Sequence, residues 1–470
     1  MDPSLGGSLG SSLGSSRDGS PDGSLVNSWD SSAASSPAGA GREVRRHSVV
    51  IVGGGQAGLS LAGCLQRRGI RPLVLERHRI GYAWEQQRWD SFCLVTPNWQ
   101  CRLPDFAYDG DDPEGFMGRE AIVAYLRRFA ARIQADVREG VSVLRLQPQG
   151  QGQGYRLLTS EGELEASQVV VATGGYHRPR RHGQAERLPA GVLQLDARDY
   201  RNPQRLPPGP VLVVGSGQSG CQIAEDLFLA GRRVHLSVGS APRSPRRYRG
   251  RDVVDWLDRM GYYSMPIDQH ADPKLVRAKT NHYLTGRDGG REIDLRRRAI
   301  EGMQLYGRLQ QLAPGEIRFA NDLAANLDQA DAVYSRICSS IDAYISRQAI
   351  EAPEQPAYQP CWQPTPGHPC SLDLNQEPLA AVIWCTGYGA DFSWIDVPIF
   401  DGAGYPSHER GVTPSSGLYF IGLPWLQTWG SARFCGVGDD AAYLAEIIRL
   451  RLQRRDASQE RLECTALLGS

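Results

Sequence analysis

Two glycine-punctuated turns limit what this chain can fold into. Ser48-Val-Val-Ile-Val runs into Gly53-Gly-Gly55-Gln-Ala-Gly58, and Pro210-Val-Leu-Val-Val runs into Gly215-Ser-Gly217-Gln-Ser-Gly220. A short apolar run stopped by glycine reads as a buried strand, and the stretches that follow, Leu59–Arg68 and Cys221–Ala230, read as helices. Pro72–Leu75 and Arg233–Leu236 then supply second strands, giving two strand–turn–helix–strand units. The glycines of such a unit have separate tasks. The first allows the tight turn, the second lets backbone approach a pyrophosphate, and the third lets helix and strand pack closely. Each helix start presents unbonded amides, here from Gln56 and Ala57 and from Gln218 and Ser219, and a positive dipole end to phosphate. The fold class expected is α/β, with two dinucleotide-binding domains of Rossmann type.

The residue ending each second strand distinguishes the units. Glu76, followed by Arg77, is a carboxylate placed to accept ribose hydroxyls, which suits FAD. Its counterpart is Ser237, which cannot repel a 2′-phosphate, and Arg243, Arg246 and Arg247 follow it. Guanidinium groups pair well with phosphate, so the second unit is expected to take NADPH. The alternative is that these arginines cover a solvated loop.

Two further apolar strands stop at Thr-Gly, one on each side of the second unit: Val171-Ala-Thr173-Gly174 and Trp384-Cys-Thr386-Gly387. Their placement makes the second unit an insertion in the first. The expected domains are an FAD domain of residues 43–200 and 381–455 and an NADP domain of residues 201–380. The latter carries a charged, aromatic-rich helical insertion at about 240–350. In that insertion Tyr248, Asp252, Trp256, Tyr262 and Tyr263 either close over the flavin or pack as ordinary helix faces. Residues 1–42 are Ser/Gly-rich without apolar periodicity and read as a disordered tail rather than an Arg-rich transit peptide. Residues 456–470 are expected to be flexible.

Other candidate cofactor contacts lie outside the turns. Between Trp84 and Gln100, the aromatic residues Trp84, Trp89 and Trp99 could wall a flat ring, with Thr96, Asn98 and Gln100 hydrogen-bonding it. A core loop with satisfied polar groups is the competing reading. Arg88 and Asp90 read as a local ion pair. Val143, in a strand expected around Val141–Leu146, joins the candidate contacts. So do Gly422, at the end of strand Leu418–Ile421, and Asp439, at the start of a last helix whose positive end would stabilise charge on a reduced ring.

Composition excludes other classes. Formal net charge is zero, which leaves no footprint for nucleic acid. No apolar run approaches the roughly 20 residues of a membrane span. Ten cysteines occur without a Cys-x-x-Cys pair, against a zinc ribbon or redox dithiol, and no metal is expected. A cytoplasmic enzyme is the expectation.

Together these motifs, across roughly residues 46–455, resemble the class B flavin-containing monooxygenase superfamily and, within it, CzcO-like bacterial flavoproteins. The runs Arg88-Trp-Asp-Ser-Phe-Cys-Leu-Val-Thr-Pro-Asn-Trp and Gly422-Leu-Pro-Trp-Leu look like a subgroup whose genes lie beside a nitrilase gene. The resemblance implies hydride transfer from NADPH to FAD, then oxygenation of a small N-, S- or carbonyl-containing substrate with O2. A homodimer is a candidate assembly. One departure bears on this. The family pattern Phe-x-Gly-x-x-x-His-x-x-x-Trp/Tyr has aspartate, Asp196, at its histidine position, with only Tyr200 matching. A reductase or oxidase without oxygen insertion therefore stays open, as does a flavin-bound regulatory or transport-associated protein.

Overall fold

A computed structural model describes residues 45–468 except 151, 152, 279 and 280. The expected tail, residues 1–42, lies outside the described residues. Arg45–Val52 forms the central strand of a seven-stranded sheet, parallel to Leu73–Glu76 on one side and to Gly162–Val171 on the other. Gly162–Val171 is long enough to serve two partners. Its first half pairs antiparallel with Tyr155–Thr159, and its last three residues pair in parallel with Leu418–Phe420. Strands buried on both faces must be apolar throughout. Accordingly Val49 and Ile51 enter the core beneath helices Gln56–Gln66 and Arg119–Arg132, while Val50 and Val52 enter the core on the opposite face.

The second sheet is parallel throughout, in the order Leu193–Asp196, Ala381–Trp384, Val211–Val214, Val234–Ser237, Gln304–Tyr306. Val211 and Val213 face one core and Leu212 and Val214 the other, the same two-residue alternation.

This pairing corrects the expected boundaries. Leu193–Asp196 and Ala381–Trp384 were assigned to the first domain, but they pair in the second sheet, so the domains exchange nearer the Thr-Gly turns. There Arg178–Pro179 pairs antiparallel with Tyr388–Gly389 as a two-stranded crossing. A single sequence does not reveal which of two parallel sheets an apolar strand joins. The insertion also contributes a strand, Gln304–Tyr306, besides its helices, the longest being Leu323–Arg347. The final helix runs Val437–Leu468, so residues 456–468 continue it rather than forming a flexible end. No helix among the described residues is long and apolar enough to cross a membrane.

Candidate functional site

The two glycine turns are near copies. Gly53 and Gly215 have φ of +113° and +103°, and a Cβ on either would come within 2.6 Å of a backbone carbonyl, that of Ala172 or Cys385. These carbonyls belong to the residues just before Thr173 and Thr386, so each Thr-Gly turn lies beneath one glycine turn. The third glycines, Gly58 and Gly220, sit so close to the carbonyls of Gly53 and Gly215 that a side chain would overlap them. Gly55 differs, because nothing lies within 4 Å of where its Cβ would be. The helices Gln56–Gln66 and Gln218–Leu229 begin without a side-chain cap and without an acid in the first turn. Their leading amides are therefore available to an anion. Gly174 and Gly387, with φ of +72° and +89°, likewise border open space.

Glu76 sits where the sequence places it. Its carboxylate accepts the amides of Gly54 (2.7 Å) and His78 (2.9 Å), which fixes it against the turn and leaves lone pairs for hydroxyls. Arg77 is exposed beside it. Val143 pairs with Thr159 and packs on the sheet core, whereas it is Val141 whose amide meets the Glu76 carbonyl, at 3.0 Å.

The second cradle corrects the phosphate assignment. Ser237 is 2% exposed, and its hydroxyl donates to the Gly307 carbonyl (3.0 Å) and accepts the Leu309 amide (3.1 Å). Arg243 is equally buried, stacked between Tyr334 and Tyr358 and paired with Glu292 and Asp331. Arg246 is held by Asp252. Buried cations need carboxylates, and the insertion supplies these from positions distant in sequence. Arg247 is exposed and bonds the Gly289 carbonyl (3.3 Å). Gln218 is also engaged, its amide clamping the backbone of Leu284, while Ser219 is partly exposed beside it. What remains at the strand ends is Arg308, which follows the neighbouring strand, is mostly exposed, and pairs with Asp322 near Gly239.

The aromatic segment divides by role. Asn98 is structural: it donates to the Asp112 carbonyl (2.9 Å) and accepts the Met117 amide (2.7 Å). Trp89 fills the core of the second unit, and Trp99 is partly buried and packs against the insertion. Thr96 is partly exposed. Gln100 is different, being 1% exposed with both amide atoms lacking any hydrogen-bond partner among the described residues. An orphaned buried amide is costly, and a ligand edge offering a donor and an acceptor would satisfy it. Trp84 lies between Phe92 and Phe434, with Arg88 over its ring. The expected Arg88–Asp90 pair does not form: Asp90 turns outward to Arg119 (2.9 Å) and Asn202 (2.6 Å), and Arg88 turns inward onto the aromatics.

The C-terminal loop closes the site. A Cβ on Gly422 would touch the Cβ of Ala57 at 2.6 Å, and Gln56 donates to the Ala432 carbonyl (3.0 Å). Of the acids starting the last helix, Asp439 is exposed. Its neighbour Asp440 is buried, and burial pushes its carboxyl up to about 6 despite a hydrogen bond from Ser431. The insertion's aromatics also divide. Tyr248 and Trp256 are core and Asp252 caps a helix, while the Tyr263 ring lies tilted against Trp429 at 4.3 Å. Asp196, at the family's histidine position, is locked by Arg181 through two bonds of 2.7 and 3.0 Å.

Two nucleotide cradles joined by a two-stranded crossing define a flavin and pyridine-nucleotide oxidoreductase. The chain belongs to the pyridine nucleotide-disulphide oxidoreductase family, whose model matches residues 50–294, just over half of it. It falls in the class B flavin-containing monooxygenase superfamily, an FAD-dependent enzyme group for which FAD and NADPH are the cofactors implied. It is 32% identical over 399 residues to the CzcO-like oxidoreductase of Geobacillus kaustophilus, covering 84% of this chain and 96% of that one. It is 30% identical to the indole-3-pyruvate monooxygenase YUCCA1 of Oryza sativa, covering 90% and 97%. A flavin-containing monooxygenase from Stenotrophomonas maltophilia shares the fold, with TM-score 0.57 at 18% identity over 87% of this chain and all of that one.

Proposed function

We propose that this enzyme accepts hydride from NADPH and oxygenates a small N-, S- or carbonyl-containing substrate with O2. The observation that carries the reading is the duplicated cradle, with two uncapped, acid-free helix starts above two Thr-Gly turns. When bound, FAD and NADPH supply the redox chemistry, and the chain contributes binding, orientation and dryness. The amides from Gly55 to Ala57 would hold the flavin pyrophosphate, Glu76 its ribose and Gln100 the ring edge. The amides from Gly217 to Ser219 would hold the nicotinamide dinucleotide. With Ser237 and Arg243 occupied elsewhere, Arg308 is the cation we assign to the 2′-phosphate. Tyr263 on Trp429 helps shield the cleft from water.

A second reading, reductase or oxidase without oxygen insertion, is favoured by one observation: Asp196 replaces the family histidine and is tied up by Arg181. NADPH oxidation followed with and without air, with peroxide measured, separates the two. Oxygenation predicts anaerobic flavin reduction, rapid reoxidation by O2, and oxygen from labelled O2 in the product. Peroxide matching NADPH consumption with every candidate substrate would favour the oxidase, and reduced flavin that O2 does not reoxidise would favour the reductase. No reduction by NADPH would sink all three and leave a regulatory flavoprotein.

A further inference from the structure

Helix Gln218–Leu229 begins at the second cradle and carries three polar side chains at four-residue intervals, Gln218, Gln222 and Asp226. That spacing sets them in one row along the helix. Gln222 and Asp226 are both 6% exposed, so each needs partners from the protein. Gln218 and Gln222 grip the backbone of Leu284 in the insertion. Gln222 donates to the Leu284 carbonyl (2.7 Å), and Gln218 accepts the Leu284 amide (3.2 Å) and donates to the same carbonyl. Asp226 gathers three donors. Its Oδ1 accepts the Ser91 hydroxyl (2.6 Å) and Arg287 Nη1 (2.8 Å), and its Oδ2 accepts the Tyr200 hydroxyl (2.6 Å).

These donors come from three parts of the chain. Ser91 lies in the first domain, in the segment 84–100 that ends at Gln100. Tyr200 is wholly buried and follows strand Leu193–Asp196, and Arg287 belongs to the insertion. Neighbouring contacts tighten the same seam. The Asp90 amide donates to the Arg201 carbonyl (2.8 Å), one residue along from Ser91 and Tyr200. Arg246 of the insertion donates to the Val95 carbonyl (2.7 Å) and lies over the Phe116 ring at 4.3 Å. A Cβ on Gly286 would overlap the Leu94 carbonyl, and one on Gly290 would come within 2.8 Å of the Phe116 ring. Residues 284–290 thus bind the nucleotide helix at Gln218, Gln222 and Asp226 and abut the flavin-side segment. Reacting atoms must approach to about 3–3.5 Å, so slack between the two cofactor seats would be costly to transfer between them.

We infer that Asp226 is a positioning residue for hydride transfer, fastening the nucleotide helix to the segment that bears Gln100 and so setting the distance between the two cofactor seats. This rests on the proposed reaction, in which hydride carries both electrons from NADPH to FAD and leaves NADP+. Asp226 lies about two turns beyond the helix start, so it acts through the elements it joins. A carboxylate suits the task because it only accepts hydrogen bonds, which obliges both hydroxyls to donate and fixes their directions, while Arg287 supplies the counter-charge.

The test uses the full-length, FAD-loaded protein and has two arms. In the first, flavin reduction by saturating NADPH is followed without air, with FAD content and NADP+ affinity measured alongside. Asp226→Ala is expected to lower the limiting rate at least about tenfold while FAD content and NADP+ affinity stay within about twofold. Asp226→Asn, which keeps one acceptor oxygen, should recover part of the loss. Tyr200→Phe removes a single bond and keeps the ring's packing, so it reads the same effect if the alanine variant fails to fold. In the second arm, amide hydrogen exchange is measured without NADPH, and residues 91–100 should exchange at least about tenfold faster in the variants than in the native protein. An unchanged limiting rate overturns the proposal, as does unchanged exchange in that segment. A slower rate matched by an equal loss of FAD or NADP+ affinity also overturns it and assigns Asp226 to the fold alone. If NADPH does not reduce the native protein, the reaction itself is refuted and the positioning role falls with it; a native protein that is reduced, with variants that behave like it, refutes the positioning role alone.

Discussion

Gly53 and Gly55 stand two residues apart in one turn, and the geometry predicts opposite consequences for adding a methyl group to each. Gly53→Ala forces a φ of +113° on a residue with a side chain and drives its Cβ to 2.6 Å from the Ala172 carbonyl oxygen. Backbone in that region costs about 1–3 kcal/mol for a non-glycine residue, and the clash adds a similar amount, so about 2–6 kcal/mol of fold stability is lost. Gly55→Ala meets neither problem: its φ and ψ, −78° and −174°, suit any residue, and no atom lies within 4 Å of the new Cβ. Reduced chain entropy in the unfolded state contributes about 0.5–1 kcal/mol in its favour and a poorer helix cap takes away about as much, so the apoprotein should be nearly unchanged. The methyl group instead occupies the pyrophosphate's approach. Losing two hydrogen bonds to charged oxygens, at about 1.5–3 kcal/mol each, weakens FAD by two to three orders of magnitude or more. The assay is the flavin-to-protein absorbance ratio after dialysis, with the melting temperature of the apoprotein. Gly55→Ala should melt like the native apoprotein and lose its colour. Stoichiometric FAD in that variant would refute the reading of the open cradle.

Three other perturbations follow from the same structure. Ser237→Ala should cost about 1–3 kcal/mol by stranding the Gly307 carbonyl and Leu309 amide, with no change in the NADPH-to-NADH preference, whereas Arg308→Ala should lower that preference about tenfold. A shifted cofactor preference in Ser237→Ala would restore the serine to the phosphate site. Asp440 carries a folded pKa of about 6, above its unfolded value, so its proton is held more tightly when folded. Stability is then greatest below the unfolded pKa and falls as pH rises towards 6, and between about pH 4 and 7 the native protein should lose about 2 kcal/mol relative to Asp440→Asn. Parallel pH profiles in denaturant titrations would dismiss the effect. Gln100→Leu removes an unpartnered buried amide, so the apoprotein should be as stable or more so while FAD binds about tenfold or more weakly. Undiminished FAD affinity would show that the amide does not serve the flavin.

Much of this architecture was legible in the sequence because its constraints are local. A turn that must admit a pyrophosphate needs glycine at Gly53, Gly55 and Gly58 whatever surrounds it, and a buried parallel strand must be apolar on both faces. The same reasoning located Glu76, since a fixed strand length carries the acid to the ribose. Residues whose role depends on partners far along the chain were not legible. Arg243 and Arg246 looked free until the insertion brought Asp331, Glu292 and Asp252 to them, and Ser237 looked available until Gly307 came alongside. Arg88 was the reverse case: with Asp90 nearby it read as paired, yet Asp90 turned to Arg119 and Asn202.

The amino-acid sequence alone therefore determined that this protein has two nucleotide cradles, one nested within the other, because each is written in contiguous residues with short-range steric rules. Only the tertiary structure decided which sheet the strands Leu193–Asp196 and Ala381–Trp384 join, and which arginines are held by a carboxylate. Charge compensation in a buried site depends on distance in space, and in this fold Arg243 meets Glu292 and Asp331 from positions 49 and 88 residues away.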